Sequence, residues 1–203
     1  MHTFRLASCF FILLLVLTLS GCNSSRTSQV NPVHESSLTA LPQTTSTPLL
    51  TLKGRANPVR LLIPEIHVNS SIEAVGITPN SDLAVPKQNP WWDVGWYVSG
   101  PNPGERGSAV IDGHLDRPGG YPAVFWHLRD LHSNDQVIVI DANGKTLHFH
   151  VTDIVFYPPQ DAPIQEIFGN KTGTFLNLIT CAGDWIASLH QTSLRLVVYT
   201  SLD

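Results

Sequence analysis

Between positions 59 and 200 the chain repeatedly offers short apolar runs rich in β-branched and aromatic residues. These are VRLLIP (Val59 to Pro64), SAVIDGH (Ser108 to His114), QVIVID (Gln136 to Asp141), TLHFHVTDIVFY (Thr146 to Tyr157), TFLNLIT (Thr174 to Thr180) and SLRLVVYT (Ser193 to Thr200). Each has the β-branched and aromatic composition of a half-buried strand. Clusters of Gly, Pro, Asn and Asp separate them, which favours an all-β barrel or sandwich over alternating strand and helix. The strongest connection is Asp141-Ala-Asn-Gly-Lys-Thr146, where Asn-Gly supplies the positive φ that a tight hairpin needs. Only Tyr121 to Leu128 and Ala162 to Phe168 read as helical, one or two turns each, and no internal repeat is present.

The first 55 residues have another texture. Arg5 precedes an apolar run from Phe10 to Leu19 that falls short of the roughly 20 residues needed to span hydrocarbon. This is the pattern of an export signal over residues 1–21. Its ending, Leu19-Ser20-Gly21-Cys22, resembles the lipobox of bacterial lipoproteins, in which the cysteine is lipidated and becomes the new N-terminus. The other reading is an ordinary signal or uncleaved anchor with a chance cysteine. Residues 22–55 are rich in Ser, Thr, Pro, Asn and Gln with no periodicity, the composition of a disordered tether. A flexible chain of that length reaches about 30 Å from its anchor. Residues 56–203 are then one folded domain. With 14% charged residues, net charge −4 and no basic block, nothing marks a nucleic-acid partner.

The cysteine count sharpens the problem. Of three cysteines, Cys9 leaves with the signal and Cys22 is consumed by lipid, so Cys181 has no partner in the exported protein. A lone cysteine can be a small buried hydrophobe. Two other residues argue for more. His114 closes one predicted strand, and Arg195 sits early in another, embedded in Leu-Arg-Leu-Val-Val. A guanidinium there is costly unless it is paired, as by a salt bridge on an outward face, or turned into a cleft. Thiol, imidazole and guanidinium together suit nucleophilic acyl transfer, as nucleophile, proton carrier and oxyanion support, with no metal or cofactor required.

The ordered set VGWYVSGPNPGERGSAVIDGHLD, PAVFWHLRDL, LITCAG and LRLVVYT resembles the sortase family, most closely its class F, over about Val59 to Leu202. The resemblance implies an eight-stranded β-barrel with one or two short helices and a cysteine transpeptidase. It assigns Cys181 as nucleophile, His114 as general acid and base, Arg195 as substrate and oxyanion support, and Thr180 as a groove-lining residue. Tyr157 to Gly173 corresponds to the loop that shapes the groove. Substrates would be surface proteins bearing an LPXTG-like signal, cleaved after Thr and passed through a thioester to an amine, commonly on peptidoglycan, or to water. The expected form is a lipid-anchored monomer on the extracytoplasmic face of a bacterial membrane. The family signature T-L-x-T-C begins here with Asn177 instead of Thr.

Two other classes fit parts of the pattern. One is a catalytically idle barrel that binds peptide or wall polymer. The other is an L,D-transpeptidase, whose motif places Arg two residues after the cysteine, whereas Arg195 lies much further on. Asp112 and Asp116 flank His114 and are expected to serve the turn or a surface hydrogen bond. His148 and His150 share a strand face but lack an evident third ligand, and Trp91, Trp92, Trp96 and Tyr97 are expected in the core or at the rim. LPQTT (Leu41 to Thr45) differs from LPXTG only in its last residue and reads as a chance match in the tether.

Overall fold

The structure, a computed structural model, describes residues 56–203 apart from position 80. The export signal, Cys22, the tether and its LPQTT segment lie outside the described residues. The described residues form ten strands: β1 Pro58–Ile63, β2 Val68–Val75, β3 Val94–Tyr97, β4 Gly107–Asp112, β5 Asp116–Arg117, β6 Tyr121–Pro122, β7 Gln136–Asp141, β8 Thr146–Tyr157, β9 Thr174–Ile186 and β10 Gln191–Leu202. One α-helix, α1 Ile164–Gly169, lies between β8 and β9. Eight strands close into a barrel in the order β1-β2-β3-β4-β9-β10-β8-β7, and β5 and β6 form a separate small ribbon. Neighbours are antiparallel except β2 with β3 and β4 with β9.

The two-residue period of a strand builds the interior. Leu61 and Ile63, Val137 and Val139, Phe149 and Val151, Leu176 and Leu178 alternate inward and are fully buried. Each such side chain contributes about 1.5–3 kcal/mol by leaving water. A second, smaller cluster lies on the outer face, where Ile167 of α1 packs on Val110 of β4 and Val197 of β10, flanked by Leu83, Tyr97 and Phe168. The segment between β8 and β9 is thereby held against the outside of β4, β9 and β10. Among the described residues no helix is long and apolar enough to cross a membrane.

Three local expectations change. Tyr121 to Leu128 is not helical: Tyr121–Pro122 pairs as β6, a turn follows, and a 3-10 turn covers Leu128–Asp130. Its amides are drawn to tertiary partners, Ala123 donating to the Leu115 carbonyl and Phe125 to that of His114. Strands β2 and β3 are absent from the apolar runs because β2 turns a serine inward. Ser70 is buried, and its hydroxyl donates to the Trp92 carbonyl at 2.7 Å. Strand β9 also runs past Thr180 to Ile186, which leaves Cys181 inside a strand.

Candidate active site

On the outer face the register sets the distances between the candidate residues. Arg195 of β10 stands directly opposite Cys181 of β9. Opposed residues of an antiparallel pair share a face with Cβ atoms about 5 Å apart. Strand β4 runs parallel to β9 with Asp112 opposite Ile179. Carrying that register two residues further sets His114 beside Cys181. The chain there stays tied to β9, since the Gly113 amide donates to the Ile179 carbonyl at 3.1 Å and Thr180 Oγ1 donates to the Gly113 carbonyl at 2.8 Å. Thiol and guanidinium thus arise from paired positions of β9 and β10, and the imidazole from a residue two positions past the end of β4, which flanks β9.

Strand alternation corrects one placement. With Cys181 facing out, Thr180 faces in and is buried, so its side chain pins the Gly113 carbonyl instead of lining a groove. Just past Cys181, β9 carries an extra residue against β10, with Leu194 opposite Ala182 but Thr192 opposite Trp185. Gly183 sits in this bulge with φ of +73°, a conformation that favours glycine. Such a bulge bends the strand and re-aims the side chains beside it.

His114 is half-buried and its ring lies 4.8 Å from that of Trp91, tilted by 42°. Burial lowers its pKa below the ordinary 6.5, and the Asp116 carboxylate opposes this in part. Burial thus favours the neutral imidazole. Gly113 is dictated by packing: a Cβ there would lie 2.7 Å from the ring of fully buried Phe125 and 2.9 Å from Val124. Gly113→Ala is expected to destabilise the domain by about 1–3 kcal/mol through overpacking. Thermal melts should show a fall of several degrees.

Arg195 makes only neutral hydrogen bonds. Its Nη1 donates to Thr192 Oγ1 at 2.9 Å and to the Leu194 carbonyl at 3.1 Å, and Nη2 donates to Gln191 Oε1 at 3.3 Å. The ion pairs among the described residues all involve histidines, so the outward salt bridge considered for Arg195 is absent. Its charge is held by neutral dipoles, with no carboxylate paired to it among the described residues.

Asp112 differs most from its expectation. It is no surface hydrogen-bonding residue: Oδ1 is buried without a hydrogen-bond partner. Burial pushes its pKa up to about 7 from 3.8, a hydrogen bond from its own backbone N–H offsetting this in part. Between those pH values the fold holds a proton that the unfolded chain has released, so its contribution to stability is complete below about 3.8 and gone above about 7. Asp112→Asn cannot titrate. Its melting temperature is expected to rise relative to that of the original protein as pH increases through this window.

Among the remaining residues, His150 Nδ1 contacts Asp203 Oδ1 at 2.7 Å and so has a partner on β10's end. No group of three His, Cys, Asp or Glu side chains suited to a metal occurs among the described residues. Trp96 is a core residue, while Trp92 is exposed with the Arg117 guanidinium 5.4 Å from its ring. Trp91, expected only as core or rim, is the residue that meets His114; no motif in the sequence marks it. Asn177, the departure from the family signature, is buried, and its Nδ2 donates to the Ile167 carbonyl at 2.6 Å, fastening α1 to β9.

Comparison with known proteins agrees with this architecture. The family model described as "Sortase domain" matches residues 61–203. Among solved structures, a lid mutant of sortase A from Corynebacterium diphtheriae superposes with TM-score 0.56 at 20% identity, covering 73% of this chain and 71% of its own. Sortase C-1 from Actinomyces oris gives TM-score 0.56 at 24% identity, with 72% and 75% covered. The sortase D5 transpeptidase of Clostridium perfringens gives 0.53 at 17% identity, with 72% and 79% covered. At these identities the superpositions establish the fold alone. A search of curated protein sequences finds no match.

Proposed function

Because this chain belongs to the sortase family, we propose that it is a cysteine transpeptidase of the cell surface. It cleaves an LPXTG-like sorting signal on surface proteins and hands the acyl group to an amine, on peptidoglycan or another acceptor, or to water. Its motifs resemble those of class F most closely. The lipobox-like Leu19-Ser20-Gly21-Cys22 supports a lipid anchor on the extracytoplasmic face, and we take the protein to act as a monomer.

The observation that carries this reading is the pairing of Arg195 with Cys181 across β10 and β9, with His114 two residues past the end of β4, the strand on the other side of β9. Neutral His114 takes the proton from the Cys181 thiol. The sulfur attacks the carbonyl of the Thr, and the carbonyl oxygen gains negative charge facing the Arg195 guanidinium. Collapse breaks the C–N bond, His114 returns its proton to the leaving amine, and a thioester remains on Cys181. An acceptor amine then attacks, losing a proton to His114, and expulsion of sulfur restores the thiol as that proton returns. Since burial holds His114 below 6.5, the acid limb of kcat/KM is expected below pH 6.5. Asp116→Asn should move it lower, because the carboxylate that favours imidazolium is gone.

The test uses the full chain in detergent, incubated with varied LPXTG-type peptides with and without triglycine. Cleavage, exchange onto triglycine and an acyl adduct are expected. Absence of all three across the set would overturn the proposal.

A further inference from the structure

For the chemistry above, His114 must present a ring nitrogen to the Cys181 thiol. In nucleophile and base pairs of this kind a third group, hydrogen-bonded to the base, fixes its orientation. No such group occurs among the described residues. The ring nitrogens of His114 make no hydrogen bond there, and Asp116, whose carboxylate acts on the imidazole through space, forms no ion pair with it. Nor does regular structure help, since His114 lies past the end of β4 in neither strand nor helix.

The contact that the imidazole does make is with Trp91. The ring centroids lie 4.8 Å apart with the planes tilted by 42°, within the range over which aromatic rings attract. Both residues are half-buried. One short segment sets them against each other: the Val124 amide donates to the Trp91 carbonyl at 2.9 Å, and the next amide, that of Phe125, donates to the His114 carbonyl at 3.0 Å. The turn that carries Trp91 is tied down on its other side as well. The amides of Trp92 and Asp93 both donate to the Asn89 carbonyl, at 3.0 and 2.8 Å, and Ser70 Oγ donates to the Trp92 carbonyl at 2.7 Å. Beside His114, Val124 and Phe125 leave no room even for a Cβ at Gly113. The two backbones are therefore fixed relative to each other, and the indole is delivered to the imidazole by tertiary hydrogen bonds from both directions.

We propose that Trp91 is a positioning residue: its indole packs on the imidazole of His114 and holds it in the orientation that serves Cys181, the task that a hydrogen-bonded carboxylate performs in other nucleophile and histidine pairs. The inference rests on the transpeptidase reading for what His114 does. An imidazole free to change rotamer spends only part of its time within reach of the thiol, and a misplacement of about 1 Å at a catalytic group can cost about 10²-fold in rate. Removing the indole thus acts on kcat and leaves substrate binding nearly as it was.

The test places Trp91→Ala and Trp91→Phe in the full chain and in the His114→Ala background. Cleavage of an LPXTG-type peptide and thermal melts are measured for each. Trp91→Ala is expected to lower kcat about tenfold with KM within about twofold, a share of the roughly 10²–10⁴-fold that a positioned acid and base supplies. Trp91→Phe, which keeps a flat ring, should recover most of the loss. With His114→Ala already present, Trp91→Ala should cost less than about twofold, because no imidazole is left to hold. An equal loss in both backgrounds, or a loss that follows the melting temperature across the variants, would overturn the inference while leaving transpeptidation intact. In parallel, NMR of the full chain in detergent with isotope-labelled histidine reads the side-chain couplings of His114. One rotamer is expected in the original protein and in Trp91→Phe, with averaging in Trp91→Ala. If the original protein cleaves no peptide, the transpeptidase reading falls and the couplings still decide: averaging in Trp91→Ala alone upholds the contact as the restraint on the ring, and a single rotamer in all three proteins overturns it.

Discussion

Cys181→Ala is expected to lower peptide cleavage and amine exchange by about 10⁴-fold or more, the scale on which loss of a nucleophile acts. The fold should be nearly unaffected. Cys181 is half-exposed on the outer face of β9, and the interior neighbours that hold that strand, Leu178, Thr180 and Ala182, are untouched. Activity and thermal melts of the variant separate these two effects. A variant that keeps its melt and loses turnover marks the thiol as chemical. Undiminished biological effect of the variant would instead favour a catalytically idle binding barrel, in which the cysteine is only a small side chain.

Arg195→Ala is expected to reduce kcat by about 10²–10³-fold, the usual loss when one oxyanion donor is removed. KM should change less, because the charge is most valuable when the carbonyl oxygen becomes anionic. Lysine should rescue only part of the loss. The guanidinium is fixed by a fork of acceptors, Thr192 Oγ1 and the Leu194 carbonyl on Nη1 and Gln191 Oε1 on Nη2, which an ammonium cannot reproduce. Stability should hardly fall, since no ion pair is broken. A large loss of melting temperature with kcat retained would assign Arg195 to structure.

How much of this was legible beforehand depended on whether the signal was local. Strands β1, β4 and β7 to β10 announce themselves because their inward residues are aliphatic or aromatic and alternate. The β7–β8 hairpin does so because Asp141 Oδ1 accepts from the Asn143 and Lys145 amides around an Asn-Gly turn. Strand β2 is hidden by Ser70, whose inward position makes sense only once the Trp92 carbonyl is beside it. Likewise, Tyr121 to Leu128 has an amphipathic pattern, yet hydrogen bonds to Leu115 and His114 decide its path.

The site divides in the same way. Cys181, His114 and Arg195 stand out by residue type against their apolar strands. That they share one face follows from pairing register, which connects residues 67 or more positions apart along the chain for His114 and Cys181. Thr180 could have been turned inward by alternation alone once Cys181 was turned outward. Trp91 and Asp112 were not legible, because the ring contact with His114 and the unpartnered carboxyl oxygen arise from packing between segments distant in sequence.

The most direct measurement is intact-protein and peptide-mapping mass spectrometry of the full chain quenched during reaction with an LPXTG-type peptide. The expected species carries the acyl portion of the peptide on Cys181 through a bond cleaved by hydroxylamine and discharged by triglycine, and it is missing from Cys181→Ala. A peptide adduct at any other residue, or turnover in the Cys181→Ala protein, would contradict a thioester mechanism centred on that sulfur.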